Sequence, residues 1–250
     1  MRTVDLDFKS AVPVFDANLA LGRRHDRRVR VDTVEGTLQA MNRLGVGRAL
    51  VYSPHAANFD PSDGNRILLE MIEGEARLVP QFVCIPSDNP ESFAAVVMDH
   101  GVRSVRLLPK LHNYPFLDWV VKPWLQWLAS ENIHVWIPFD QIDPSELHET
   151  LKEHRDLNVV LAEVPYGHAA WALHLLRSLP NLHIDTSRFL STDGVSKLMD
   201  AVGDRRILYG SRFPDSAMGP YLYHLHRCGL GESSLAAICS GNLKRMLGMH

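Results

Sequence analysis

Cysteine is scarce in this chain of 250 residues: Cys84, Cys228 and Cys239 are the only three, and they lie far apart. An odd, scattered trio supplies neither a disulfide framework nor a thiolate metal site. No apolar run approaches the ~18 residues that a membrane-spanning helix needs. The opening stretch, MRTVDLDFKS, carries acidic residues where a signal peptide would be apolar. Neither sign of charge dominates, because 26 Lys plus Arg face 29 Asp plus Glu. The net charge of −3 gives no general pull toward nucleic acid or anionic membrane. Glycine-rich phosphate loops are missing too. Gly45-Val46-Gly47 precedes a strand-like run instead of following one, so it does not read as a dinucleotide fingerprint. These absences lead to the expectation of a cytoplasmic protein with no nucleic-acid or membrane partner.

With 46% hydrophobic residues and no low-complexity tract, the chain can bury a sizeable core. Short runs dense in Val, Ile and Leu recur along it: Val12–Ala17, Arg48–Ser53, Leu78–Ile85, Ser104–Leu108, Ile133–Phe139, Val159–Val164, Leu182–Thr186 and Arg206–Ser211. Such runs suit strands buried on both faces. Their starts are 23 to 36 residues apart, the size of a βα unit. Amphipathic segments lie between them. Asp32-Thr33-Val34-Glu35 offers a helix N-cap with a glutamate three positions on, and Asn89-Pro90 and Asp143-Pro144 each set a capping residue before a proline. Gly45, Gly101 and Gly203 stand where helices should end. Eight βα units in about 250 residues predict one α/β domain over residues 1–250, a (β/α)8 TIM barrel.

Such barrels keep their chemistry at the C-terminal ends of the strands. The residues expected there include Asp16, Asn18, Arg106, Lys110, Asp140, Glu163, Asp185, Ser211, Arg212 and Asp215. Several segments at these places resemble the amidohydrolase-related family, the branch that includes aminocarboxymuconate-semialdehyde decarboxylase and lactonases. Phe15-Asp16-Ala17-Asn18-Leu19-Ala20-Leu21-Gly22 stands at that family's D-x-H-x-H-x-G signature. Arg206-Ile207-Leu208-Tyr209-Gly210-Ser211-Arg212-Phe213-Pro214 resembles its R-I-L-F-G-S-D-F/Y-P, and Gly241-Asn242-Leu243 opens a segment like its closing helix. Val105-Arg106-Leu107-Leu108-Pro109 and Leu182-His183-Ile184-Asp185-Thr186-Ser187 resemble its fourth and seventh strands.

The resemblance implies a divalent metal held by two histidines on the first strand, histidines after the fifth and sixth, and an aspartate after the eighth. At those positions this chain has Asn18 and Ala20, Pro138, Glu163 and Arg212. One carboxylate does not hold zinc, and a permanent cation repels it. The expectation is therefore a barrel without metal or other cofactor, in which Glu163 and Arg212, both aimed at one vacated point, form an ion pair. Asn18, Arg106, Lys110, Glu163 and Arg212 are the candidate ligand-binding residues, facing a small anionic molecule. Candidates for catalysis, should any persist, are Glu163, Arg212, Asp140 and His112. Two functional classes follow: a non-catalytic or ligand-binding descendant of a metal hydrolase, or a metal-independent hydrolase of a small carboxylated lactone or ester. By analogy with the family, a homo-oligomer or a paralogous partner subunit is also expected. The Arg23-Arg24-His25-Asp26-Arg27-Arg28 stretch reads more simply as a solvated loop than as part of the pocket.

Overall fold

The computed structural model describes residues 7–86 and 90–249, so the capping expected of Asn89 lies outside the described residues. Among these residues nine short parallel strands, all but β3 and β4 separated by helical segments, run in the order β1 (Phe15–Ala20), β2 (Arg48–Tyr52), β3 (Leu78–Pro80), β4 (Phe82–Val83), β5 (Ser104–Arg106), β6 (His134–Pro138), β7 (Val159–Ala162), β8 (Leu182–Asp185) and β9 (Ile207–Leu208). β3 and β4 are two halves of one stave. Gln81 separates them, and β3 pairs with β2 while β4 pairs with β5. The remaining neighbours pair in sequence order from β4 to β9. Backbone hydrogen bonds then close the ring: Ala17 donates to Tyr209 (2.9 Å), Ala20 to Phe213 (2.8 Å) and Arg212 to Asn18 (2.8 Å). The protein is a (β/α)8 barrel, as the spacing of its apolar runs predicts.

Strand alternation divides the core in two. Val135 and Ile137 of β6, and Val159 and Leu161 of β7, join the large cluster that meets the helices. Their neighbours Trp136, Val160 and Ala162 join Phe15, Leu50 and Leu208 in a second cluster, and Leu243, Met246 and Leu247 of the C-terminal helix pack on it. The barrel is thus filled by apolar side chains at one end, and its polar chemistry lies at the other.

Most strands are shorter than the apolar runs that announce them, and two boundaries shift outright. β1 runs from Phe15 to Ala20 rather than from Val12 to Ala17. Asp16 and Asn18 look like a strand end because they are polar, yet both are buried among internal hydrogen-bond partners. The helix Val34–Leu44 is capped by Thr33, whose hydroxyl accepts from Gly36 N at 3.2 Å, one residue later than Asp32. Asp143 caps Pro144–Leu151, and Gly45 ends Val34–Leu44 at φ 75°, both as expected. Among the described residues no helix is long and apolar enough to cross a membrane.

Candidate functional site

Between Asp16 and Leu19 the register of β1 against β2 slips: Asp16 faces Ala49 and Leu19 faces Val51, leaving one extra residue on β1. A bulge of this kind re-aims a side chain at a strand end. Here the re-aimed segment carries Asn18, which becomes the hub of a buried network. Its Oδ1 accepts from the Arg106 guanidinium at 2.7 Å. Its Nδ2 donates to Asp185 Oδ2 (3.0 Å), with Glu163 Oε1 and Ser187 Oγ each 3.3 Å away. Gly210 makes room for it, since a Cβ there would lie 3.1 Å from both Asn18 Cβ and Asp185 Oδ2.

Arg106 is fully buried, so its charge must be met inside the protein. Gln81 Oε1 accepts from its Nε at 3.0 Å, Glu163 Oε1 lies 3.6 Å from a terminal nitrogen, and the Tyr52 ring lies beneath, 3.9 Å from guanidinium carbon to centroid. Glu163 is thereby flanked by two guanidiniums, for its other oxygen accepts from Arg212 Nε at 2.6 Å. The Glu163–Arg212 pair expected from the sequence is present. Both partners have left-handed backbones, with φ of 62° at Glu163 and 58° at Arg212. That conformation costs a side-chain-bearing residue about 1 kcal/mol or more and is retained where surrounding contacts fix it. The contacts are in place: Glu163 N donates to Asp185 Oδ1 at 3.1 Å and Arg212 N to Asn18 O at 2.8 Å.

Two further carboxyls lie beneath this layer. Asp185 accepts from Ser187 N and Ser187 Oγ as well as from Glu163 N and Asn18 Nδ2. Burial raises its pKa, and these hydrogen bonds only partly offset that. Asp16 Oδ1 accepts from Asn18 N and Ser211 N, while its Oδ2 has no partner among the described residues. Burial pushes this carboxyl up to about 7.

The structure therefore brings Asn18, Arg106, Glu163 and Arg212 together and leaves the other three candidates apart. Lys110 is exposed and its Nζ donates to Ile142 O at 3.3 Å. Asp140 is exposed on a short turn after β6. His112 is tied through Nε2 to Ala57 O at 2.9 Å. Gln81 and Tyr52 are members that the sequence reading does not single out. Gln81 did leave a trace, as the one polar residue inside the apolar run Leu78–Ile85.

The outer rim of the cluster is the arginine-rich loop. Asp215 receives Arg24 at 3.0 Å and Arg27 at 2.7 and 3.1 Å, and a terminal nitrogen of Arg212 lies 3.7 Å from it. Arg24 is thus anchored at the mouth, whereas Arg27 is bonded to Asp215 but stays exposed, and both also meet Asp26 of their own loop, Arg24 at 3.1 Å and Arg27 at 3.7 Å. Arg212 remains the exception among the inner cations. Its Nε is engaged by Glu163, but neither terminal nitrogen makes a hydrogen bond among the described residues, and 26% of its side chain is exposed. The Tyr52 hydroxyl makes none either, and burial raises its pKa, so it remains a protonated donor.

A divalent metal is the group that this kind of barrel mouth would hold. The donors at the equivalent places here are an amide, a methyl, a proline ring, one carboxylate and a guanidinium. That carboxylate already lies between two cations. Among the described residues no set of three His, Cys, Asp or Glu side chains is grouped to bind an ion. The residues present do not fit the metal.

Comparison with known proteins agrees with the architecture. The family model described as Amidohydrolase matches residues 14–249, so the chain belongs to the amidohydrolase family. Within the solved structures, an uncharacterised TIM-barrel protein from Bordetella bronchiseptica superposes with a TM-score of 0.77 at 16% identity, covering 95% of this chain and 99% of that one. The 5-carboxyvanillate decarboxylase of Sphingomonas paucimobilis gives 0.76 at 14% identity, over 96% and 100% of the two chains. A probable 2-pyrone-4,6-dicarboxylic acid hydrolase from Acinetobacter baumannii, with citric acid bound, gives 0.71 at 16%, over 95% and 100%. At these identities the likeness establishes the fold alone. No curated protein sequence gives a significant match.

Proposed function

We propose that this chain is an amidohydrolase-family barrel that has exchanged its metal centre for an internal ion pair and binds a small carboxylate instead of hydrolysing or decarboxylating it. One observation carries the reading. Arg212 stands where the family's metal-binding aspartate would be and donates to Glu163 through Nε, while its terminal nitrogens make no hydrogen bond among the described residues, one of them lying 3.7 Å from Asp215, and 26% of its side chain is exposed at the mouth. A guanidinium fork offered in this way matches a carboxylate bidentately. Tyr52 OH adds a neutral donor nearby. The names of the structural neighbours fit the ligand class, since those proteins are described as acting on 5-carboxyvanillate and 2-pyrone-4,6-dicarboxylic acid.

Catalysis without a metal has no comparable support. A hydrolase needs a base or nucleophile that reaches the substrate. Asp16, Asp185 and Ser211 are fully enclosed, and Leu108 packs with Ala56, Ala57 and Val83 near the mouth.

Thermal unfolding with and without citrate tests the reading. A ligand at about a hundredfold above its Kd stabilises by about 2.7 kcal/mol, enough to move the midpoint by several degrees. The shift is expected for the wild type and is lost in Arg212→Lys, which keeps the charge but not the fork. Equal shifts in both proteins, or none in the wild type with citrate and aromatic dicarboxylates alike, would contradict it.

A further inference from the structure

Arg24, Arg27 and Arg212 converge on a single protein carboxylate, that of Asp215. Arg27 grips it with two hydrogen bonds, Nε to Oδ1 at 3.1 Å and a terminal nitrogen to Oδ2 at 2.7 Å. Arg24 reaches the same Oδ2 at 3.0 Å, and Arg212 stands 3.7 Å from it. Only 9% of the Asp215 side chain is exposed. This is the geometry in which arginines receive a ligand's carboxylate, two-pronged from one side and flanked by further cations. The loop that carries Arg24 and Arg27 also lines a half-open hollow of about 450 Å³, shared by Arg23 and Arg28, which have no hydrogen bond or ion pair among the described residues. The four arginines of this loop are accompanied within the hollow by only two carboxylates, Asp26 and Asp32.

We propose that Asp215 is an internal competitor. It occupies a second carboxylate subsite formed by Arg24 and Arg27, adjacent to the terminal nitrogens of Arg212, which make no hydrogen bond among the described residues, and the ligand is a dicarboxylate that displaces it. This rests on the reading of Arg212 as a carboxylate site and extends it by naming a second anionic group on the ligand. The two subsites are neighbours because Asp215 touches one and approaches the other, so the carboxylates of the ligand are separated by a short spacer. Asp215 also ties the loop of residues 23–28 across the mouth. Exchange of one carboxylate for another keeps that loop anchored in both states, since the arginines always have a partner. The apparent affinity of the free protein is lowered by the fraction of time Asp215 holds the cradle.

The prediction has a sign that a purely structural aspartate would not give. Replacing an ordinary structural ion-pair partner loosens the site and weakens binding. Replacing a competitor strengthens it. Citrate affinity is measured by calorimetry for the wild type, Asp215→Asn, Asp215→Ser and Asp215→Glu. The two neutral variants are expected to bind about tenfold more tightly than the wild type, as they would if Asp215 fills the cradle about nine-tenths of the time. Asp215→Glu, which retains the competing charge, is expected to stay within about twofold of it. A second readout is trypsin cleavage after the arginines of residues 23–28. Nicking is expected to speed up in both neutral variants and to be suppressed again by citrate.

Unchanged or weaker citrate binding in both neutral variants, with the wild type still binding through Arg212, would overturn the competitor and leave the Arg212 site standing. Citrate binding by the neutral variants alone would support the competitor while contradicting occupancy of the wild-type site. Absence of binding in every protein would overturn both. Cleavage that is unaffected by removing Asp215 would overturn the latch, whatever the calorimetry shows.

Discussion

Asp16 links the stability of the fold to pH. It is buried in full, one of its oxygens has no partner among the described residues, and burial lifts its pKa from the ordinary 3.8 to about 7. Between those two values the folded protein holds a proton that the unfolded chain releases. Stability therefore falls as pH rises through that window. His183 works in the opposite sense. Burial, aided by Arg206, lowers it from 6.5 to about 3, so its contribution is lost as pH falls below its ordinary value. Asp16→Asn separates the two effects, because an amide resembles the protonated acid and does not titrate. The urea midpoint of this variant, relative to wild type, is expected to rise from pH 5 to pH 8, and a pH-independent difference would contradict the assignment. At this scale the sequence was partly legible. Glu163 and Arg212 were found because a shared target point implies proximity. The Asp215 clamp was not, because long arginine side chains reach across loops whose folding leaves no periodic signal.

At the scale of elements, the loop after β2 shows how tightly the mouth is built. The short helix Pro54–Asn58 packs on the helix Pro61–Met71 at Gly64, where a Cβ would lie 2.2 Å from the backbone nitrogen of Ala56. Backbone cannot give way as a side chain tip can. Gly64→Ala is expected to cost more than the ~1–3 kcal/mol of ordinary overpacking, read as a lowered midpoint in chemical denaturation. A variant as stable as wild type would show that the two helices do not meet so closely. The elements themselves were readable from the apolar runs wherever both strand faces are apolar, as in β6 and β7. Reading was poorer where the polar layer enters the strands. Asp16 and Asn18 obscured the end of β1, and Gln81 split the third stave into β3 and β4. In each case a polar side chain satisfied by internal partners looks, in sequence, like a loop residue.

Across the whole molecule, the family fold is retained over nearly the full chain while the residues at its mouth do not fit the family's metal. The lower half of the barrel is an apolar plug, closed by the C-terminal helix. In the upper half the buried Arg106 is paired with Gln81, Asn18 and Glu163, and Glu163 in turn with Arg212, as a buried charge network requires. Thirteen histidines suggest a metal protein by number alone, yet none stands at the places where the family's ligands would be. In the function proposed for this chain, a guanidinium held by Glu163 takes the place of the metal. Elemental analysis of the protein after purification from zinc- and manganese-supplemented cells tests this most directly. Metal far below one atom per chain is expected. One atom per chain, lost on substitution of Glu163, would contradict it.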